Sequence, residues 1–270
     1  MRYFLIGLLL ISQTAGCRLF DSVRDDRLKR DLREKIERVN CRNEGRLEAA
    51  RQVLTEAGAR AKKIEYENAS NVVAKSEGVS DETIVVGAHF DKTTLGCGAI
   101  DNWTGVVMLA RLFQEVSAAK TDKSYTFVAF GGEERDLLGS RAMAKDIADG
   151  LVKKPCAMIN MDSFGFEKAW GLKSISDQSM LMLAADVERK RGGSFSIRNY
   201  SGASSDSKSF RLVGVPSITF SGLGDDWREY LHQETDQVKN IDFEMVAENY
   251  SFLMDFLQEI DRVDCQSLKK

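Results

Sequence analysis

Thr83-Ile-Val-Val-Gly-Ala-His89 is an apolar run of strand length that ends on an imidazole. Similar runs occur at 71–76, 125–131, 157–162 and 216–221, and helical spacing of apolar residues predicts α-helices over 103–118, 137–149, 177–191 and 241–261. Strands that alternate with helices in this way predict the α/β class: a three-layer α/β/α sandwich around a mostly parallel central sheet covered on both faces. Upstream, Leu28, Leu32, Ile36 and Val39, then Leu47, Ala50, Val53 and Leu54, recur at helical intervals and predict two amphipathic helices within 21–58. With two prolines, no internal repeat and no linker-like tract, the 270 residues read as one domain able to bury a substantial core. Gly150, Gly192-Gly193 and Gly202 mark turns, and the serine-rich stretch 194–208 reads as a flexible loop.

The first sixteen residues have a different character. Arg2 is their only charge, and Phe4–Ile11 is too short to span a bilayer but long enough for the apolar part of an export signal. Thr14-Ala15-Gly16 precedes Cys17 and resembles the lipobox of bacterial lipoproteins, with Thr14 where leucine is usual. The expectation is a signal peptide over 1–16, a lipid anchor on Cys17 that tethers the chain to a bacterial membrane, and a tether with an N-terminal helix over 17–40. Without lipidation the chain would be periplasmic or secreted. The formal charge of −3 argues against nucleic acid as a main partner, and oligomeric state is left open.

Cys41, Cys97, Cys156 and Cys265 can pair in three ways in an oxidising compartment. Cys156 opens a strand whose far end carries Asp162, roughly 20 Å away at about 3.3 Å per residue, whereas Cys97 lies close to Asp101. If the two acids share a site, Cys97 and Cys156 do not meet. The expected bridge is Cys41 with Cys265, joining the first and last helices.

The chain has two histidines, His89 and His232. Between them Asp101, Glu133, Glu134 and Asp162 each follow an apolar, strand-like stretch, and open parallel sheets bind ligands beyond the carboxyl ends of their strands. Singly, each acid is most simply a solvated surface charge and each histidine a hydrogen-bonded core residue. Six such groups on one rim make that joint reading improbable, and carboxylates with an imidazole at either end of the set suit zinc. A serine nucleophile is unattractive because no Gly-x-Ser-x-Gly elbow occurs. Cys97 reads as a buried thiol rather than a metal ligand, Trp103 and Met108 as helix packing, and Phe164, Phe220 and Leu223 as core ahead of pocket.

Gly87-Ala-His-Phe-Asp91, Gly98-Ala-Ile-Asp-Asn-Trp-Thr-Gly105, Gly131-Gly-Glu-Glu-Arg-Asp-Leu-Leu-Gly-Ser140, Asn160-Met-Asp162 and His232 together resemble the two-zinc aminopeptidases, a family that includes glutamate carboxypeptidase II and the one-zinc glutaminyl cyclases. The resemblance implies a zinc peptidase domain over 41–265, two zinc ions per chain and peptide substrates with a free N-terminus. His89 and Asp162 would hold one zinc, Glu134 and His232 the other, and Asp101 would bridge them. Glu133 would be the general base, and Asp91 the carboxylate that orients the first histidine. Three carboxylates would reduce the +4 of two zinc ions to +1, which a bridging hydroxide would balance. Two departures bear on substrate preference and oxyanion stabilisation. Leu231 directly precedes His232, where many relatives have tyrosine and this chain has Tyr230 one place earlier, and Ser207 follows Ser205-Asp206 where histidine is common. The alternatives are a one-zinc cyclase that forms N-terminal pyroglutamate, against which His89 is retained, and a non-catalytic surface protein that keeps the fold. The related carboxypeptidases need an inserted domain for which 134–232 leaves no room.

Overall fold

In a computed structural model the structure describes residues 25–200 and 202–269. The expected signal peptide and Cys17 lie outside the described residues. Among those described, no helix is long and apolar enough to cross a membrane.

Eight strands form one sheet: β1 (Lys62–Glu65), β2 (Ser70–Ser76), β3 (Thr83–His89), β4 (Ser124–Phe130), β5 (Ala157–Met161), β6 (Trp170–Leu172), β7 (Ser196–Arg198) and β8 (Ser217–Ser221), in the order β1-β2-β4-β3-β5-β8-β6-β7. The four central strands β4, β3, β5 and β8 run parallel, while β1, β2 and β6 pair antiparallel towards the edges. The reason is visible in β3 and β4, whose residues are buried on both faces apart from the first position of β3. A strand of that composition is stable only between two helical layers.

Those layers are α1 (25–36), α2 (Asn43–Glu56), α3 (Thr104–Ala118), α4 (Leu138–Ala148), α5 (Gln178–Lys190), α6 (Ser207–Leu212) and α7 (Phe243–Asp261). Ile84, Val86 and Ala88 of β3 enter the larger core with α1, α2, α3, α5 and α7, whereas Val85 enters a smaller core with Ile147 of α4 and Phe210 of α6. Alternation along one strand therefore divides its side chains between two cores and yields the three layers. Trp103 and Met108 are fully buried in the larger core, as are Phe164 and Phe220.

From β3 the chain passes to β4 on one side and then crosses to β5 on the other. This reversal opens a crevice at the carboxyl ends of β3 and β5, where doubly wound sheets bind ligands.

Two expectations need correction. The disulfides are Cys41–Cys97 and Cys156–Cys265. Cys97 and Cys156 are indeed apart, but Cys41 leads into α2, whose Arg46 bonds the carbonyl of Cys97, so it lies at the crevice end of the sheet. Cys265 follows α7 at the opposite end, beside the start of β5. The stretch 194–208 is also not simply loop: it contains β7, enters α6, and buries Ser205, Asp206 and Ser207. Leu223 belongs to the larger core, as read, and also lines the cavity described below.

Candidate metal centre

Each expected ligand comes from a strand end or the connection after it. His89 closes β3 and is buried; Glu133 and Glu134 follow β4; Asp162 follows β5; His232 lies in the turns after β8 with its side chain half exposed. Asp101 sits in a distorted turn ahead of α3, where Gly98 supplies a φ of +63°. A Cβ on Gly98 would stand 2.7 Å from the Cβ of Lys92, so both the backbone conformation and the space select glycine.

These side chains converge. His89 Nε2 lies 3.1 Å from Asp101 Oδ1 and 3.5 Å from Asp162 Oδ1, and His232 Nε2 lies 3.3 Å from Asp101 Oδ2 and 3.2 Å from Glu134 Oε2. Among the described residues three groups could hold a cation, His89–Asp101–Asp162, Asp101–Glu134–His232 and His89–Glu133–Glu134, with donor atoms in each within 4.8 Å of one another. Asp101 belongs to the first two, one oxygen toward each. Glu133 lies within 4.8 Å of His89 and Glu134 and faces the same cavity.

The residues fit zinc on two independent grounds. The donor set combines imidazole nitrogen and carboxylate oxygen at the spacing such an ion needs. In addition, Glu134 Oε1 is buried without a hydrogen-bond partner among the described residues, an arrangement that a bound cation would relieve. The electrostatics agree. Burial, reinforced by the charges of Asp162, Asp206 and Glu134, pushes Glu133 well above the usual carboxylate range despite His89. Burial also raises Glu134. Asp101 moves the other way: burial opposes its ionisation, but hydrogen bonds from His232 and His89 hold it below the usual range. His232 is raised to about 10 by its hydrogen bonds to Asp101 and Glu134. Burial disfavours a proton on His89, yet the surrounding carboxylates raise it well above its ordinary value.

A pH dependence with a definite sign is the consequence. The surrounding carboxylates favour a proton on both imidazoles in the metal-free chain, and a ligating imidazole must be neutral. Zinc binding should therefore release protons, and affinity should rise with pH through the range below about 10, the value of His232. Calorimetric titration of zinc in buffers of different ionisation heat measures this; heats independent of the buffer would contradict it.

The supporting contacts refine the expected role of Asp91. Its carboxylate is 3.9 Å from His89 Nδ1, and the imidazole instead meets the Asp91 backbone carbonyl at 3.1 Å. The Asp91 carboxylate accepts the backbone N–H groups of Glu133 (3.1 Å) and Glu134 (3.2 Å) and so positions the expected base and the expected ligand together. Asp91→Asn keeps one acceptor but turns an NH2 group toward the second amide. Zinc affinity and turnover should each fall about tenfold, within the range seen when partners of metal ligands are removed; chelator competition and steady-state rates test it.

Several further residues carried little signal in the sequence. Asp236, buried and raised by that burial to about 6, accepts the backbone N–H groups of Ile100 (2.7 Å) and Asp101 (3.2 Å). Arg46 is fully buried and donates to the carbonyls of Phe90, Asn40, Cys97 and Gly98, gathering the turn that carries Asp101. Ser163 donates to Asp101 and Asp162, and Ser205 donates to Asp162. Ser207, which stands where relatives commonly have histidine, pairs with Thr219 of β8 at 2.6 Å. Tyr230 packs on Phe166 with ring centroids 4.4 Å apart, and the cavity wall is formed by Leu231 instead.

Above the centre lies a cavity of about 790 Å³ whose floor is the carboxylate and imidazole set. Trp170, Leu172, Tyr200, Leu223, Trp227 and Leu231 form its apolar and aromatic side.

Residues 71–257, which carry every candidate ligand and most of the sheet, match the model of peptidase family M28. The chain belongs to that family. A probable leucine aminopeptidase of Arthroderma benhamiae is 30% identical over 212 residues, covering 70% of this chain and 55% of the relative. LapB from Legionella pneumophila has a similar fold, with a TM-score of 0.76 at 19% identity over 97% of this chain and 79% of that one. So does a glutaminyl cyclase from Bacteroides thetaiotaomicron, with a TM-score of 0.68 at 15% identity over 86% of this chain and 96% of that one. The M28 fold alone thus does not separate cyclase from aminopeptidase. The chain spans about half to two thirds of the length of the curated relatives it matches.

Proposed function

We propose that this M28 chain is a zinc-dependent aminopeptidase that releases the N-terminal residue of peptides. The observation that carries the reading is the pair of donor groups joined through Asp101, with Glu133 beside them. Two zinc ions, when bound, would supply Lewis-acid polarisation of the scissile carbonyl and acidify a water toward neutral pH. Glu133 would take the proton from the attacking water and return it to the departing amine, a task that suits a buried carboxylate whose proton affinity is already raised. The carboxylates of the floor would receive a protonated α-amine, which favours a free N-terminus. The apolar wall of Trp170, Leu172, Leu223 and Leu231 would take an apolar side chain on the residue removed, in keeping with relatives named as leucine aminopeptidases.

The apolar run Phe4–Ile11 and the Ala15-Gly16-Cys17 sequence support export with a lipid anchor at Cys17. The two disulfides suit an oxidising compartment.

The test is release of free amino acid from a panel of peptides by the zinc-loaded chain, with metal content measured alongside. Leucine release with about two zinc per chain is the expected result. Pyroglutamate formation with one zinc would indicate the cyclase, and no metal with no turnover would indicate a non-catalytic protein.

A further inference from the structure

Among the described residues lining the cavity there is one arginine or lysine, Arg228. Trp170, Tyr200 and Trp227 form an aromatic row with ring centroids 5.6 and 5.7 Å apart, and the Arg228 guanidinium lies over the Trp227 ring, 4.4 Å from its centroid. Asp225, Asp226 and Glu229 are its neighbours in sequence, yet Arg228 makes no ion pair with them or with any other described residue. Asp225 is 3.6 Å from Arg198 instead, and Asp136, the exposed acid on the cavity lining, is held by Arg141. A guanidinium stacked on a ring is oriented in advance, and its N–H edges remain free for a planar, two-oxygen acceptor.

We propose that Arg228 anchors a carboxylate on the leaving-group side of the substrate: the α-carboxylate of a dipeptide or the side chain of an acidic second residue. The inference rests on the aminopeptidase reading above and adds to it a preference for the residue beyond the scissile bond. Reach supports it. Arg228 precedes His232 by four residues through consecutive tight turns, a 3-10 turn at Trp227–Glu229 and then Leu231 N–H to the Trp227 carbonyl at 2.8 Å. At a rise of about 2 Å per residue the two backbones stand roughly 8 Å apart. One extended peptide residue spans about 3.5 Å, so a carboxylate one residue beyond the scissile carbonyl falls within reach of the arginine side chain. Charge sets the direction. A carboxylate near the substrate amine would face Glu133 and Glu134, whereas one on the departing residue would meet a cation with no other partner.

The experiment compares kcat/KM for matched substrates with the zinc-loaded full chain and its Arg228→Met and Arg228→Lys variants. Leu-Gly against Leu-Gly-amide reports the α-carboxylate, and Leu-Glu-amide against Leu-Gln-amide reports the side chain. The wild-type chain should prefer the acid in at least one pair by about tenfold, the scale of a charge-assisted contact. That ratio should drop to about one in Arg228→Met and be partly restored in Arg228→Lys, whose single ammonium lacks the fork. Because each ratio is taken within one protein, partial misfolding or metal loss cancels. An acid preference unchanged in Arg228→Met overturns the proposal. So does a wild-type chain that prefers neither acid, or one that prefers only an acidic first residue, Glu-Gly-amide over Gln-Gly-amide. Failure of the aminopeptidase reading looks different, with no leucine freed from any substrate. Calorimetric binding of the same pairs then decides: an acid preference lost in Arg228→Met supports the anchor, and equal affinities overturn it.

Discussion

Glu133→Gln should lower turnover by about 10² or more while zinc content and thermal stability stay near those of the parent chain. The substitution keeps the volume and one oxygen of the side chain and removes its capacity to accept a proton, so the loss isolates general-base catalysis, which typically contributes about 10² to 10⁴. The geometry makes the result discriminating. Glu133 is close enough to His89 and Glu134 to be considered a ligand itself. His89 Nε2, however, already faces Asp101 and Asp162, and Glu134 already faces His232. If Glu133 were a ligand, the variant would lose metal and activity together. A proton carrier would lose activity alone, and unchanged activity would remove Glu133 from the mechanism. Metal content by elemental analysis and turnover on a leucine peptide, measured on one preparation, separate the three outcomes.

How far the sequence reveals this site depends on which atoms do the holding. Of the candidate ligands, His89, Glu134 and Asp162 were legible as titratable side chains at or just after apolar runs, which burial on both faces keeps continuous in β3, β4 and β5, whereas Asp101 and His232 lie in turns and were legible through the resemblance. The short strands β6 and β7 were not legible, since three residues give no period to count. The supports were hidden for another reason. Arg46 works through four backbone carbonyls and Asp236 through two backbone amides, and neither pattern leaves a trace in residue spacing. Side-chain type predicts the Asp91 carboxylate near the histidine, but its grip on the amides of Glu133 and Glu134 leaves no signal in the sequence. The disulfides show the same limit. Cys97 and Cys156 are kept apart by opposite ends of the sheet, and the same separation applies to Cys41 and Cys265. Where Cys41 lies is decided by Arg46 drawing the start of α2 over Cys97, a contact without a local signal.

Asp101→Ala should reduce metal content from about two ions per chain to one or fewer and lower turnover by at least about a hundredfold. Each carboxylate oxygen of Asp101 faces a different imidazole, Oδ1 toward His89 and Oδ2 toward His232, so its removal takes a donor from both groups at once. Removal of any other ligand would take one. It also deletes the negative charge that both imidazoles hold ionised and that in turn favours a proton on each of them, so the variant loses the contact that joins His89 to His232 when metal is absent. The consequence reaches stability as well as chemistry. A ligand that binds only the folded chain stabilises it in proportion to the logarithm of its concentration over Kd. Zinc should therefore raise the melting temperature of the parent chain clearly and that of Asp101→Ala much less. Asp101→Asn offers a gentler version, since it preserves shape and one oxygen while surrendering charge and the second acceptor, and its zinc content should fall between the two. Two tightly held ions in Asp101→Ala, with a full zinc-dependent rise in melting temperature, would mean that the carboxylate only buttresses the turn before α3 and that the metals are held without a shared ligand.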